Sequence, residues 1–255
     1  MEDWMGKVSV IILTKDEEDN IADCIHSASW ADEVIVLDSG STDRTVEIAG
    51  GMGARIFTHP FRNYAEQRNV ALGLAQTEWV FFVDADERVT PELAEEIKQV
   101  IEDENYVGWW VPRQNYIAGK WIRYGGWYPD YQLRLLQPDK AHYDPVWEVH
   151  EIVILDGKAG YLRHHLIHYN YRDWREFVTR QKNYAPLEAG VLEKRGIHPK
   201  PWSPISMPVR EFYRRYVTLK GYRDGFHGLL LATLMAFYTM YVYTLLLSKT
   251  AVKGK

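Results

Sequence analysis

The chain has 255 residues, of which 46% are apolar and 25% charged, and a formal net charge of −5. That length accommodates one large α/β domain with an appendage, not two full-sized domains, and the ordinary composition excludes a disordered or fibrous chain. The negative balance argues against general nucleic-acid binding, and a single cysteine, Cys24, excludes a disulfide framework or a cysteine-rich zinc site.

The first hundred residues alternate between strand and helix signals. Residues 8–13 (VSVIIL) form a β-branched run of the kind buried on both faces of a sheet. Residues 20–29 read as a helix, 33–37 (EVIVL) as a second buried strand, and 43–49 as a helix that Ser41, Thr42 or Asp43 can cap. A short strand at 55–58, an amphipathic helix at 64–75, a buried strand at 79–83 (WVFFV) and a helix at 91–101 opened by Pro91 complete the series. Repeated β-α units predict a mostly parallel sheet with right-handed crossovers and a ligand site beyond the carboxyl ends of its strands.

After Tyr106 the alternation breaks. Residues 108–136, rich in Trp, Tyr, Gly and Arg, read as irregular strands and loops; 164–171 reads as a short strand and 173–192 as a helix. Pro201, Pro204 and Pro208 mark 200–208 as a linker, so the expected division is 1–205 for the α/β domain and 206–255 for a helical extension. Met1-Glu2-Asp3-Trp4 carries acids where a signal peptide carries bases. Residues 226–248 contain no Asp, Glu, Lys or Arg and follow a basic stretch with Arg210, Arg214, Arg215, Lys220 and Arg223. That combination predicts attachment to an anionic membrane face, the alternative being a helix buried in a homo-oligomer.

Polar residues stand just past the strands. Thr14 follows the first, Asp38 the second and Asp84 the WVFFV run. Asp38 can accept the N–H of a uracil, thymine or guanine edge, and it also suits turn formation before Ser39-Gly40-Ser41. Asp84-Ala85-Asp86 is more specific. Carboxylates at i and i+2 past a buried strand can hold a divalent cation that keeps positions open for diphosphate oxygens. No Gly-rich basic loop follows the first strand, where Thr14-Lys15-Asp16-Glu17-Glu18 is acidic, and no G-x-G-x-x-G follows any strand; a nucleotidyltransferase and a dinucleotide-binding dehydrogenase are both disfavoured. Alternation along a strand puts His164 and His168 on one face and His165 on the other, which disfavours a three-His site, and one metal ligand is expected from this group.

In their order, VSVIILTKDEEDNI, EVIVLDSGSTDRT, YAEQRNVAL and WVFFVDADE resemble inverting glycosyltransferase family 2, with its nucleotide-sugar-binding GT-A fold. Residues 147–151 (WEVHE), His168-Tyr169 and the basic-then-apolar C-terminus are similar to the bacterial subgroup of lipopolysaccharide inner-core β-1,4-glucosyltransferases. The resemblance implies that Thr14 and Glu17 line the nucleoside pocket, Asp38 binds the base, and Arg68 reaches the base or diphosphate. It implies that Asp84 contacts ribose or metal, that Asp86 and His168 ligate Mg2+ or Mn2+, and that Gly125-Gly126 shapes the donor sugar pocket. It implies UDP as the donor nucleotide, glucose as the sugar of the subgroup, and a glycan or lipid-linked acceptor at the cytoplasmic face of the inner membrane.

Inversion requires one carboxylate to take the acceptor proton. Glu151 is the expected base, ahead of Asp130, Asp144 and Glu148. Two alternatives differ in kind: transfer to a polyprenyl phosphate, whose anionic oxygen needs the base less, and a non-catalytic nucleotide-sugar-binding protein.

Overall fold

A computed structural model of the chain describes residues 6–144 and 153–253. The chain forms two compact units. One comprises Met1–Arg113 and Tyr131–His168, the other Gln114–Asp130 and Tyr169–Lys255.

The first unit follows the β-α alternation. Strand β1 (Val8–Thr14), helix α1 (Ile21–Ser27), β2 (Glu33–Asp38), α2 (Thr45–Gly51), β3 (Arg55–Thr58), α3 (Tyr64–Leu72) and β4 (Trp79–Asp84) come in that order. A short β5 (Glu87–Val89) and α4 (Pro91–Val100) come next. The chain continues through β6 (Gly108–Ile117), β7 (Lys120–Trp121), β8 (Asp130–Leu136), the pair β9 (Ala141–Tyr143) and β10 (Val153–Leu155), β11 (Ala159–Tyr161) and β12 (Leu166–Tyr171). The sheet order is β3-β2-β1-β4-β8-β6-β12-β5. Its first four strands are parallel, as the crossovers require. Beyond them it is mixed, because β8 runs antiparallel to β4 and β12 antiparallel to β5.

Alternation along the buried strands makes two cores. Val10, Ile12, Val36, Phe81 and Val83 face Ile21, Cys24, Ala49, Leu93 and Ile97 of α1, α2 and α4. Ile11, Ile35, Leu37, Val80 and Phe82 face Ala65, Ala71 and Leu72 of α3, with Ala141 and Tyr143 of β9. Each large side chain buried this way contributes ~1.5–3 kcal/mol, and the one polar residue inside these runs, Ser9, is satisfied by Glu33 and Thr77 at 2.8 and 2.7 Å. Cys24 is one of these core residues, and burial pushes its thiol well above the usual range. Helix starts are fixed locally: Asn63 Oδ1 accepts the Glu66 N–H at 2.8 Å, and Thr90 Oγ1 accepts the Leu93 N–H at 3.2 Å ahead of Pro91.

In the second unit α5 (Trp174–Lys194) opens on Asp173, which caps Glu176 N at 2.8 Å. The proline-rich segment read as a linker is instead the start of α6 (Ser203–Tyr213). Pro204 stands in its first turn, where a missing N–H costs nothing, and Pro208 is carried inside it. A π turn (Arg214–Thr218) leads to α7 (Phe226–Lys253). Ile117, Ile122, Tyr171, Phe177, Leu231 and Met235 form this unit's larger core, and Ala185 and Ala189 of α5 meet Val242 and Leu246 of α7 in a smaller one.

Candidate active site

The registers align the polar strand ends. Thr14 of β1 pairs with Asp38 of β2, and Leu13 of β1 pairs with Asp84 of β4. All three polar groups therefore lie on one rim at the carboxyl ends of adjacent parallel strands. The connection from β1 goes to β2 on one side, while β4 lies on the other. This is a topological switch point, where the flanking loops part and leave a crevice.

On the β1–β2 side, two loops interlock. Asp16 N donates to Ser41 Oγ at 2.8 Å, Thr42 N to Asp16 Oδ1 at 2.7 Å, and Glu17 N to Thr45 Oγ1 at 2.8 Å. Asp38 is buried and holds its own loop: Oδ2 accepts Gly40 N at 2.9 Å and Ser41 N at 3.0 Å, and Oδ1 accepts Ser41 Oγ at 2.5 Å. Gly40 sits at φ +89°, the conformation that lets its N–H turn back. Asp38 is thus a turn-former, with both carboxylate oxygens engaged by its own loop. Glu17 Oε2 accepts Asn20 Nδ2 at 2.7 Å. Thr14 Oγ1 is buried and makes no hydrogen bond to any described residue. Leaving such a group unsatisfied costs ~1–3 kcal/mol.

On the β4 side the structure gathers a charge cluster. Arg134 of β8 grips Asp84 with both amines, Nη1–Oδ1 at 3.2 Å and Nη2–Oδ2 at 2.5 Å. Arg68 of α3 lies over Phe82, 4.9 Å from its centroid, and places Nη2 3.4 Å from Asp84 Oδ1. Burial works against the Asp84 charge, but Arg134 and then Arg68 outweigh it and hold this carboxyl well below the usual range. Glu87 is fully buried; its Oε2 accepts Asp84 N at 2.9 Å, and its Oε1 is 3.4 Å from both Arg134 and Arg113. Burial, with Asp84 beside it, raises the Glu87 carboxyl. Asp84 remains 32% exposed, so the cluster opens on one side.

Antiparallel pairing of β5 with β12 puts His168 opposite Glu87 and brings His168 Nε2 to 3.5 Å from Asp86 Oδ2. His168 is buried, whereas His164 is drawn to α4, its Nδ1 3.0 Å from Glu96 Oε2. Asp86 and His168 could supply one carboxylate oxygen and one imidazole nitrogen to a divalent cation. Among the described residues no group of three such side chains gathers, so two protein ligands would leave the other positions to phosphate oxygens and water.

Gly125 and Gly126 belong to the second unit. There both have positive φ, Gly125 N donates to Leu219 O at 2.9 Å, and Arg215 Nη1 donates to Gly125 O at 2.9 Å. Asp130 receives Asn115 Nδ2 at 3.2 Å. Glu151, Glu148 and Trp147 lie outside the described residues. On sequence alone Arg134 can pair with a phosphate or with a nearby Glu or Asp; here it takes Asp84 and Glu87. Glu87 shows in the sequence only as the acid closing Asp84-Ala85-Asp86-Glu87, and Arg113 carries no signal.

The sequence profile described as "Glycosyl transferase family 2" matches residues 9–168. The chain is similar to the lipopolysaccharide core biosynthesis glycosyltransferase LpsC of Rhizobium meliloti, 29% identical over 97% of this chain and 94% of that one. It is also similar to an uncharacterized glycosyltransferase of Rickettsia felis, 26% identical over 91% of this chain and 87% of the other. A solved structure of glucosyl-3-phosphoglycerate synthase from Mycobacterium tuberculosis with Mn2+ and UDP-glucose is 26% identical over 44% of each chain, with a TM-score of 0.36.

Proposed function

This chain belongs to glycosyl transferase family 2 and is a glycosyltransferase, and we propose that it moves a sugar, with inversion, from a uridine diphosphate donor to a glycan or lipid-linked acceptor of the lipopolysaccharide core. The observation that carries the reading is the meeting of Asp86 and His168, 3.5 Å apart, just past β4. A carboxylate and an imidazole in that place suit Mn2+ or Mg2+ with most positions left for the diphosphate. When bound, the cation supplies neutralisation of the charge that builds on the departing diphosphate.

The chain's own residues do the rest. Thr14, Glu17 and Asp38 hold the nucleoside on the β1–β2 side of the rim, with Thr14 Oγ1 as the group that lacks a partner without ligand. Arg68 and Arg134 fix Asp84, so its free edge is presented to ribose or cation in one orientation. Gly125-Gly126 shapes the donor sugar pocket, and Glu151 takes the acceptor proton as the new bond forms opposite the leaving group. The likeness to a lipopolysaccharide core enzyme over almost the whole chain supports the acceptor class and a location at the cytoplasmic face of the inner membrane. The basic-then-apolar C-terminus supports contact with that membrane.

The test is a panel of nucleoside diphosphate sugars with Mg2+ or Mn2+, read by thermal stabilisation, since a bound donor raises the melting midpoint by mass action. A UDP-sugar that stabilises only with metal, and fails to do so in Asp86→Ala, supports the site; metal-independent stabilisation in both sinks it. Glu151→Gln is expected to abolish transfer while keeping donor binding. Near-normal transfer in that variant would move the acceptor to a polyprenyl phosphate.

A further inference from the structure

Within the second unit, α6 is amphipathic with its apolar side turned outward. Trp202, Ile205, Val209 and Tyr213 are 60, 74, 65 and 60% exposed. Their spacing of three, four and four places them on one face, and Val217, 43% exposed, extends the row through the π turn. Soluble surfaces rarely expose a continuous row of large apolar side chains, and such a row marks a contact with something else.

The basic side chains indicate what that is. Residues 200–223 hold Lys200, Arg210, Arg214, Arg215, Lys220 and Arg223 against one acid, Glu211, in a chain whose net charge is −5. Arg210 is exposed beside Val209, Arg214 is exposed beside Tyr213 but paired with Glu211 at 2.8 and 2.9 Å, and Lys200 Nζ lies 5.4 Å from the Trp202 ring. A row of apolar and aromatic residues edged by cations matches the boundary between anionic headgroups and acyl chains.

Helix α7 has the length and hydropathy to cross a bilayer, over Phe226–Lys249. Its packing argues otherwise. Val242 and Leu246 are buried on Ala185 and Ala189 of α5, and Lys249 Nζ lies 3.8 Å from Glu193 of α5. Helix α5 also carries Arg175, Glu176, Arg180, Lys182, Glu188 and Lys194. A membrane deep enough to hold α7 would have to hold those charges too.

We propose that the α6 row seats the enzyme peripherally on an anionic bilayer, with Trp202, Ile205, Val209 and Tyr213 in the headgroup–acyl boundary, Arg210 on the lipid phosphates, and α7 packed on α5 rather than spanning. This deepens the membrane contact of the proposed function and rests on that reading only for the acceptor's location.

The experiment is sedimentation of the full chain with vesicles of phosphatidylcholine, alone or with phosphatidylglycerol. Binding is expected with the anionic vesicles, to weaken in high salt, and to fall at least about tenfold in the double variant Ile205→Asp, Val209→Asp. Alkaline carbonate is expected to strip the wild-type protein from membranes. Unchanged partition of the double variant, or resistance to carbonate, overturns the proposal. So does a dimer that the double variant dissolves while vesicle binding stays intact. Should the aspartates lower the melting midpoint, Ile205→Ser with Val209→Ser gives the same reading without added charge. Sugar transfer to a detergent-dispersed acceptor is measured on the same proteins. Its absence in the wild type counts against the glycosyltransferase assignment and leaves the vesicle result standing.

Discussion

Arg134 and Asp84 stand 50 residues apart in sequence and meet as a two-pronged ion pair, Nη2–Oδ2 at 2.5 Å and Nη1–Oδ1 at 3.2 Å. The pair joins the end of β4 to β8, and Glu87 Oε1 lies 3.4 Å from the same guanidinium. Removing the cation leaves two carboxylates in a mostly buried place with less to balance them. Arg134→Met is therefore expected to lower stability by about 3 kcal/mol in urea titration. Arg134→Lys should recover only part of this, because an ammonium cannot span both Asp84 oxygens. A methionine variant as stable as the wild type would show that the pair holds nothing together.

The two carboxylates should shape the pH profile in opposite senses. Asp84 titrates below its ordinary value, so its contribution is present above about pH 4 and is lost as the pH falls further. Glu87 titrates above its ordinary value, so its contribution is complete below about pH 4 and is lost as the pH rises through its folded value. Urea midpoints measured from pH 3 to pH 8 should show Asp84→Asn losing ground to the wild type with rising pH, and Glu87→Gln gaining it. Parallel profiles for both variants and the wild type would contradict this assignment.

Asp86 and His168 should separate from Asp84 in a metal titration. His168→Ala removes one of the two proposed ligands, and the Mn2+ concentration for half-maximal transfer should rise by at least about tenfold. Excess metal should restore much of the rate. Asp86→Ala should not be rescued. If His168→Ala leaves the metal response unmoved while lowering the rate, His168 orients Asp86 instead of binding the cation.

The β-α half of this chain was legible because its signals are local. VSVIIL, EVIVL and WVFFV read as strands because they are apolar and rich in β-branched and aromatic residues, with only Ser9 polar inside them, and Thr14, Asp38 and Asp84 follow from where each run ends. What joins Asp86 to His168 was not local. Three residues, Glu87–Val89, pair with β12, and no periodicity shows in so short a strand. Arg134 reads equally as a phosphate partner or as the partner of a nearby acid until β8 is laid against β4. The stretch read as irregular from 108 to 136 contains the ten-residue β6, whose aromatic and polar residues are buried in a pattern that does not alternate by two. The prolines of 200–208 were a sound breaker signal, but Pro204 falls in the one turn of a helix that tolerates it.

Close backbone approach in the second unit gives the last prediction. A Cβ on Gly228 would lie 1.8 Å from the carbonyl oxygen of Gly221, and a Cβ on Gly221 2.7 Å from the carbonyl oxygen of Arg215. Both obstacles are backbone, so neither can swing aside as a side chain would. The turn from Arg214 to Asp224 therefore lies against the start of α7 at a distance only glycine permits. The same turn holds Asp224, whose carboxylate accepts Tyr124 N at 2.8 Å and Arg123 N at 3.3 Å. Gly228→Ala is expected to cost at least about 2 kcal/mol, more than the fraction of a kilocalorie usual for a surface change. The loss should appear as a lower urea midpoint, with donor binding to the surviving folded fraction intact. A Gly228→Ala protein of wild-type stability would mean that α7 and this turn are not packed as described, and it would reopen the question of where α7 lies.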